Sequence, residues 1–125
     1  MTADYRLRGG IGASLMDNNF IEVNDAGEFG ELLAQSNEGP VILFKHSDVC
    51  GVSERAYAQM AAVSAPVMLV VVQAARELSN EIEERTGIEH ASPQAIVFRN
   101  GKPVWWASHR QITAEALTKA VQENR

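Results

Sequence analysis

The chain has 125 residues, close to the commonest size of a single domain, and its composition of 46% hydrophobic and 22% charged residues is that of an ordinary globular protein. The formal net charge of −5, without a basic cluster to neutralise phosphates, argues against nucleic acid as a partner. The single cysteine excludes an internal disulfide framework and suits a reducing compartment.

Residues 1–19 contain arginine and glycine without sustained apolar periodicity. We therefore predict a loosely held N-terminal arm, followed by one domain over residues 20–125. The arm lacks the apolar core of a signal peptide, and no other stretch approaches the ~18 apolar residues of a membrane span. We expect a soluble, cytoplasmic protein with no membrane partner.

The domain begins with a strand and a helix. Residues 20–23 alternate apolar and polar side chains, which is typical of a strand. Asp25 followed by Glu28 resembles the spacing of a capping box and predicts the start of a helix. After a Gly-Pro pair, residues 41–44 form a continuous apolar run, the pattern of a strand covered on both faces.

A polar loop then leads to Cys50, which we place at the start of the next helix. The apolar positions of this helix recur at spacings of four, four and three: Val52, Ala56, Met60 and Val63. Unpaired N–H groups and the positive dipole end favour a thiolate there, and such cysteines reach pKa values of roughly 3.5–7.5. A lone cysteine often packs as a small hydrophobe instead, but the polar neighbours Asp48, Gly51 and Ser53 favour a redox thiol.

The remaining elements continue the alternation of strands and helices. They are a β-prone strand at 67–72, a helix at 77–86 stopped by Gly87, two strands at 95–98 and 103–107 around Asn100-Gly101, and a final helix capped by Thr113. Asn-Gly is the strongest short hairpin signal, because both residues tolerate positive φ. The order predicts one α/β domain with parallel strands and an antiparallel C-terminal hairpin.

Several segments, taken together and in order, resemble the monothiol bacilliredoxin (YtxJ-like) family of the thioredoxin-fold superfamily. They are Phe44-Lys45-His46-Ser47, Cys50-x-x-Ser53, residues 76–82, His90-Ala91-Ser92-Pro93-Gln94, residues 101–109 and Ile112-Thr113. The resemblance runs from about Phe20 to the C-terminus. It implies a thioredoxin-like fold, with a central mixed sheet flanked by helices.

The resemblance also implies an activity, the removal of the small thiol bacillithiol from mixed disulfides on client proteins. Cys50 would be the attacking nucleophile, Ser53 would stand where a resolving thiol is absent, and Pro93 would be the cis-proline beside them. The expected partners are S-bacillithiolated proteins and a low-molecular-weight thiol, with a bacillithiol disulfide reductase as a further candidate. Bacillithiol would be a co-substrate, and we expect no bound cofactor or metal.

Other residues are candidates for substrate binding. Lys45 and His46 would favour the thiolate or meet a carboxylate on bacillithiol, although a solvated lysine and an exposed loop histidine are equally consistent with the sequence. Gly51 and Val52 flank the cysteine, and the backbone of Ser92 would pair with an extended substrate. His90 is a further candidate, although a role in capping loop backbone groups is favoured. His109 is expected to be structural.

Three alternatives remain open. Gly51 departs from the proline usual in the family, and Cys50-Gly51-Val52-Ser53 resembles the Cys-Gly-Phe-Ser site of monothiol glutaredoxins, which use glutathione or an iron–sulfur cluster. A cysteine–histidine hydrolase would need an oxyanion element that the sequence does not contain. A non-catalytic binding module would present Trp105 and Trp106, but neighbours on a strand point to opposite faces, so we expect one of the two to be core.

Overall fold

A computed structural model describes residues 19–49 and 51–125. Residues 1–18 of the predicted arm and Cys50 itself lie outside the described residues. The strands are β1 Phe20–Glu22, β2 Val41–His46, β3 Val67–Val71, β4 Gln94–Arg99 and β5 Lys102–Ser108, and the helices are α1 Ala26–Ala34, α2 Gly51–Ala61, α3 Arg76–Thr86 and α4 Ala114–Glu123. None of the helices in the described ranges is long and apolar enough to cross a membrane.

The five strands form one mixed sheet in the order β1-β3-β2-β4-β5. β3 pairs in parallel with both β1 and β2, whereas β4 pairs antiparallel with β2 and with β5. The predicted combination of parallel strands and an antiparallel C-terminal hairpin is confirmed. The carboxyl end of β2 lies near the centre of the sheet, and the chain passes from there to Cys50.

Each face of the sheet is covered by two helices, and each interface contains its own apolar core. Helices α2 and α4 pack on the face that carries Ile42, Phe44, Ala95 and Val97. Helices α1 and α3 pack on the opposite face, which carries Leu43, Met68, Ile96 and Phe98. Strand residues alternate between the two faces, so adjacent side chains of β2 enter different cores.

The predicted helix ends are held by local hydrogen bonds. Asp25 Oδ1 accepts from the N–H of Glu28 at 2.8 Å, and Thr113 Oγ1 accepts from the N–H of Ala116 at 3.1 Å. Gly87 ends α3 with a φ of 74°, the left-handed conformation that favours glycine. These caps confirm the helix boundaries expected from the residue types alone.

The hairpin between β4 and β5 also forms as predicted. Asn100 and Gly101 have φ values of 56° and 77°, as a type I′ turn requires. Trp105 is partly buried against the core beneath α2 and α4, whereas Trp106 is 52% exposed. Trp105 packs against the core without being fully buried in it, so the prediction that one of the two tryptophans is core is met in part.

Strand β2 is longer than the sequence predicts. Lys45 and His46 were expected in the polar loop, but they pair with Val70 and Val71 of β3 and continue the strand. Both side chains are buried, so the readings of a solvated lysine and an exposed loop histidine are wrong. The apolar run ends at Phe44, but the backbone pairing with β3 continues, and a polar side chain does not interrupt a ladder formed by main-chain groups.

Candidate functional site

The site is built where β2 leads into α2. Helix α2 begins at Gly51, immediately after Cys50 in the sequence. Gly51 is exposed, Val52 is half-buried, and Ser53 has no exposed surface. Because Cys50 lies outside the described residues, the predictions of its thiolate character and its nucleophilic role stay predictions.

The hydroxyl group of Ser53 joins the helix to the preceding strand. Its Oγ accepts a hydrogen bond from the backbone N–H of Ser47 at 2.9 Å and lies 2.8 Å from His46 Nδ1. Both bonds are buried, where polar groups left without partners are costly. The Ser53 side chain therefore connects the first turn of α2 to the end of β2, whether or not it takes part in the reaction.

The single proton of the Ser53 hydroxyl couples it to His46. Burial lowers the pKa of His46, opposed by the carboxylates of Asp48 and Glu54 and by a hydrogen bond with the Ser53 backbone, so the ring is mainly neutral at pH 7. With Nδ1 unprotonated, the imidazole accepts the Ser53 proton. With Nδ1 protonated, the imidazole donates to Oγ and leaves the Ser53 proton for another acceptor. Protonation of His46 Nδ1 thus decides whether the Ser53 hydroxyl can donate a hydrogen bond to a group other than His46.

Aromatic neighbours fix the plane of the His46 ring. The ring stacks on Phe44, with centroids 5.6 Å apart and planes inclined at 30°, and lies 4.9 Å from the centroid of Tyr57. Phe44 is buried in the core beneath α2 and α4. The imidazole is therefore held as part of that core, and its Nδ1 is aimed at the first turn of α2.

Lys45 lies on the other face of the sheet and has no exposed surface. Its Nζ donates to the carbonyl oxygen of Ser79 at 3.0 Å and lies 3.1 Å from His90 Nδ1. Burial lowers the pKa of Lys45 to about 8, opposed by the negative charge of Glu83. Direct contact with a substrate would require this enclosure to open, and the substrate-binding role of Lys45 stays a prediction.

His90 belongs to the same cluster as Lys45. An ammonium group can only donate, so His90 Nδ1 accepts from Lys45 and the imidazole proton resides on Nε2. Partial burial lowers the pKa of His90, the cations of Lys45 and Arg76 lower it further, and Glu83 opposes the shift. The described contacts of His90 are thus to the α3 side of the sheet, and a role towards the cysteine stays a prediction.

The Ser92–Pro93 peptide bond is cis. Ser92 is half-buried and Pro93 is buried at the start of β4. The carbonyl oxygen of Pro93 accepts a hydrogen bond from the N–H of His109 at 3.0 Å. This bond ties the cis-proline to the turn after β5 through the backbone of His109, and the structural role expected for His109 stays a prediction.

Gln73 is a site residue that the sequence analysis did not identify. Gln73, in the loop after β3, donates from Nε2 to Ser47 Oγ at 2.8 Å and accepts from the N–H of Asp48 at 3.4 Å. The two contacts hold the loop that leads into Cys50. No local pattern marks Gln73, because its partners precede it by 25 and 26 residues in the chain.

An open cleft of about 490 Å³ borders the start of α2. It is lined by Val52 and by the turn after β5: Ser108, His109, Arg110 and Gln111. Only Val52 was predicted as a site residue. The four residues of the turn could have been identified only from the topology, because the turn follows the last strand and lies beside the cis-proline.

Within residues 19–49 and 51–125, no group of three or more histidine, aspartate or glutamate side chains is close enough to hold a metal ion. A cluster bound through Cys50, as in the glutaredoxin alternative, would use a residue outside these ranges.

Residues 21–117 match the family model described as the monothiol bacilliredoxin BrxC. A solved structure of a thioredoxin-fold protein, described as an oxidoreductase, is 31% identical with a TM-score of 0.75, covering 82% of this chain and 93% of its own.

Two thioredoxins share the fold at lower identity. A mutant thioredoxin from Halobacterium salinarum NRC-1 is 15% identical with a TM-score of 0.66, over 86% of this chain and 91% of its own. The thioredoxin of Fasciola hepatica is 14% identical with a TM-score of 0.68, over 83% of this chain and 98% of its own. The fold expected from the sequence is therefore confirmed as thioredoxin-like.

Proposed function

The chain belongs to the monothiol bacilliredoxin family, and on that premise we propose that it removes bacillithiol from mixed disulfides on client proteins. Family and fold make it a thiol redox protein. The observation that carries the finer proposal is the family match over residues 21–117, which spans Cys50, Ser53 and Pro93. The proposed setting is the reducing cytoplasm, where a lone cysteine stays available as a thiol.

The reaction is two successive thiol–disulfide exchanges. In the first, the Cys50 thiolate attacks the bacillithiol sulfur of a mixed disulfide, one S–S bond forms as another breaks, and the client leaves as a thiolate. In the second, a free bacillithiol thiolate attacks the adduct, regenerates Cys50 and leaves as bacillithiol disulfide. Electrons are conserved among the sulfurs, and a reductase for bacillithiol disulfide would complete the cycle.

Ser53 would assist as a hydrogen-bond donor to the thiolate. Its proton is available when His46 Nδ1 is itself protonated, so His46 would act through Ser53 rather than by touching the substrate. This refines the substrate-binding role predicted for His46. The half-buried backbone at Ser92, beside the cis peptide bond, is the proposed pairing site for an extended client segment.

Gly51 keeps a second candidate open, a monothiol glutaredoxin-like protein that uses glutathione. Gly51 is the first residue of α2, and no atom of the described residues, apart from its chain neighbours and the backbone of α2, lies within 4 Å of the position that a Cβ would take. Packing among the described residues therefore does not require glycine here. We therefore propose that glycine at position 51 affects which small thiol the protein uses, and both thiols should be tested.

The test is intact mass after the reduced protein is incubated separately with bacillithiol disulfide and glutathione disulfide. A rapid adduct from bacillithiol, absent in Cys50→Ser, supports the proposal. Preference for glutathione would support the glutaredoxin candidate. No adduct from either would favour a non-catalytic binding module.

A second assay follows release of bacillithiol from a modified client. The mechanism is wrong if Cys50→Ser releases it as fast as the wild type. A preparation that stays colourless after anaerobic iron–sulfur reconstitution would count against the cluster-binding alternative.

A further inference from the structure

We propose that the cleft beside α2 binds the carboxylate-bearing part of the small thiol, with Arg110 as its anchoring cation. The inference rests on the proposed exchange at Cys50 and adds to it a recognition site for the small thiol. None of the residues in the turn after β5 was predicted to bind a substrate. The chemistry recognised is that of a small anionic thiol, for which bacillithiol and glutathione are the two sources.

Two walls of the cleft are formed by residues near Cys50 in the sequence and by a turn bonded to the cis-proline. One wall is Val52, two residues after Cys50 in the sequence. The other is the turn after β5, whose His109 N–H donates to the carbonyl oxygen of Pro93 at 3.0 Å. A small molecule joined to Cys50 through a disulfide would therefore have this cleft as a neighbour for its remaining atoms.

The turn itself is held in a fixed conformation. Gln111 and Ser108 form a capping box, in which each side chain accepts from the backbone of the other residue. His109 is in the left-handed region at φ 56°, which is uncommon for a residue other than glycine. The backbone of the turn is thus held by hydrogen bonds, whereas Arg110 is exposed and lines the cleft.

Charge and size both favour a small anion. In the part of the chain that the structure describes, Arg110 has no ion-pair partner. A guanidinium presents paired N–H donors that match a carboxylate. The cleft of about 490 Å³ lies within the range typical of small-molecule sites, and half-buried Val52 offers an apolar wall for the carbon skeleton.

The competing occupant is a segment of the client protein. An extended segment is recognised mainly by backbone pairing along a strand or by a long groove. The open cleft of about 490 Å³, with Arg110 beside the apolar wall of Val52, fits the compact anionic thiol better. A client segment in the cleft is kept as an outcome of the test.

The experiment compares exchange rates of the reduced full-length protein with three disulfides: bacillithiol disulfide, glutathione disulfide and uncharged 2-hydroxyethyl disulfide. The variant is Arg110→Gln, and the matched control is Arg55→Gln, which removes the same charge from an exposed arginine of α2 outside the cleft. Arg110→Lys tests whether charge alone suffices.

We expect Arg110→Gln to slow exchange with at least one anionic disulfide by about tenfold, the typical effect of losing a charge-assisted hydrogen bond, and to leave the uncharged probe unaffected. The anionic disulfide that loses most identifies the thiol that the cleft accepts. Arg110→Lys should recover part of the rate, and Arg55→Gln should match the wild type.

An equal loss with all three disulfides would show a structural role for Arg110 and overturn the inference, as would no loss at all. A loss seen only with modified client proteins would assign the cleft to the client. If the wild type failed to react with all three disulfides, the proposed exchange at Cys50 would fail, and the inference with it. Intact reaction with 2-hydroxyethyl disulfide, without discrimination by charge, would overturn the inference alone.

Discussion

His46 Nδ1 lies 2.8 Å from Ser53 Oγ, and both side chains are buried between β2 and the first turn of α2. The same Oγ accepts from the N–H of Ser47 at 2.9 Å. The residue that stands in place of a second cysteine is therefore part of the structure that holds the site. The role of Ser53 can therefore be tested by measuring protein stability as well as activity.

Replacing Ser53 by alanine should destabilise the protein. Ser53→Ala removes the partner of both His46 Nδ1 and the Ser47 N–H, and leaving buried polar groups unpaired costs roughly 1–3 kcal/mol. Urea unfolding at pH 7 measures the change in the free energy of unfolding. Ser64→Ala, at an exposed serine, is the control and should change it by less than about 0.5 kcal/mol. Equal stability of the two variants would contradict the prediction.

The lowered pKa of His46 predicts a loss of stability in mild acid. The unfolded chain binds a proton at a higher pH than the folded one, so stability rises with pH across this interval. The contribution is complete above the unfolded pKa of about 6.5 and is lost as the pH falls towards the folded value. Urea unfolding between pH 8 and pH 5 should show this fall in the wild type.

His46→Gln is the matched variant, because glutamine can bond to Ser53 without titrating. Its stability should fall less steeply over the same interval, with the remainder due to His90, whose pKa is lowered as well. Identical pH profiles for wild type and His46→Gln would refute the assignment.

The buried ammonium of Lys45 predicts an alkaline effect of the same sign. Its pKa of about 8 lies below the ordinary 10.5, so the wild type should gain stability as the pH rises from about 8. Lys45→Met keeps much of the side-chain volume and should abolish this gain, as measured by urea unfolding at pH 7.5 and 9.5.

The same variant should raise the pKa of His90, because the cation that lowers it is removed. Imidazole NMR titration reports this directly, and His46, on the other face of the sheet, is the internal control. A His90 pKa unchanged by Lys45→Met would contradict the contact.

Gln73 should control the order of the loop before Cys50. Gln73→Ala removes both contacts to residues 47 and 48, so amide hydrogen exchange there should accelerate severalfold. Gln73→Glu can still accept from Asp48, but its added negative charge near the site should raise the pKa of the Cys50 thiol. Thiolate absorbance against pH distinguishes the two variants. Unchanged hydrogen exchange in Gln73→Ala would show that the loop is held by other contacts.

Gly51→Pro would restore the residue usual in the family. Proline suits the first position of a helix, and no atom among the described residues lies within 4 Å of a Cβ at Gly51. Proline restricts the unfolded chain and lowers its conformational entropy. The free energy of unfolding, measured in urea, should therefore rise by roughly 0.4–1 kcal/mol. The ratio of exchange rates with bacillithiol and glutathione disulfides should shift towards bacillithiol. A destabilised variant would mean that the N–H or the backbone conformation of Gly51 is needed.

Features that depend on neighbouring residues were predictable from the sequence. The Asn100-Gly101 turn and the caps at Asp25 and Thr113 each require particular residue types at short spacing, and all three form. The central strands were marked by their apolar runs. The mixed sheet then followed from the alternation of elements and from the hairpin.

Features that depend on distant parts of the chain were not predictable in this way. Lys45 and His46 are polar, so the apolar pattern stopped before them, whereas the backbone pairing with β3 that extends the strand is not visible in side-chain types. Gln73 contacts the loop before Cys50 from the loop after β3, and Arg110 lines the neighbouring cleft from the turn after β5. The loops after β2, β3 and β5 meet at one end of the sheet. Which residues lie close together there depends on the fold and not on the local sequence.

Trp105 and Trp106, the two tryptophans of the chain, provide an optical probe of all these variants. Trp105 packs against the core and Trp106 is 52% exposed, so a soluble quencher such as iodide should reach mainly one emitter in the native protein. In the unfolded chain both become accessible, and the quenching curve changes from two populations to one. Each substitution proposed above leaves both indoles in place, so one fluorescence assay can compare the native packing of the whole series.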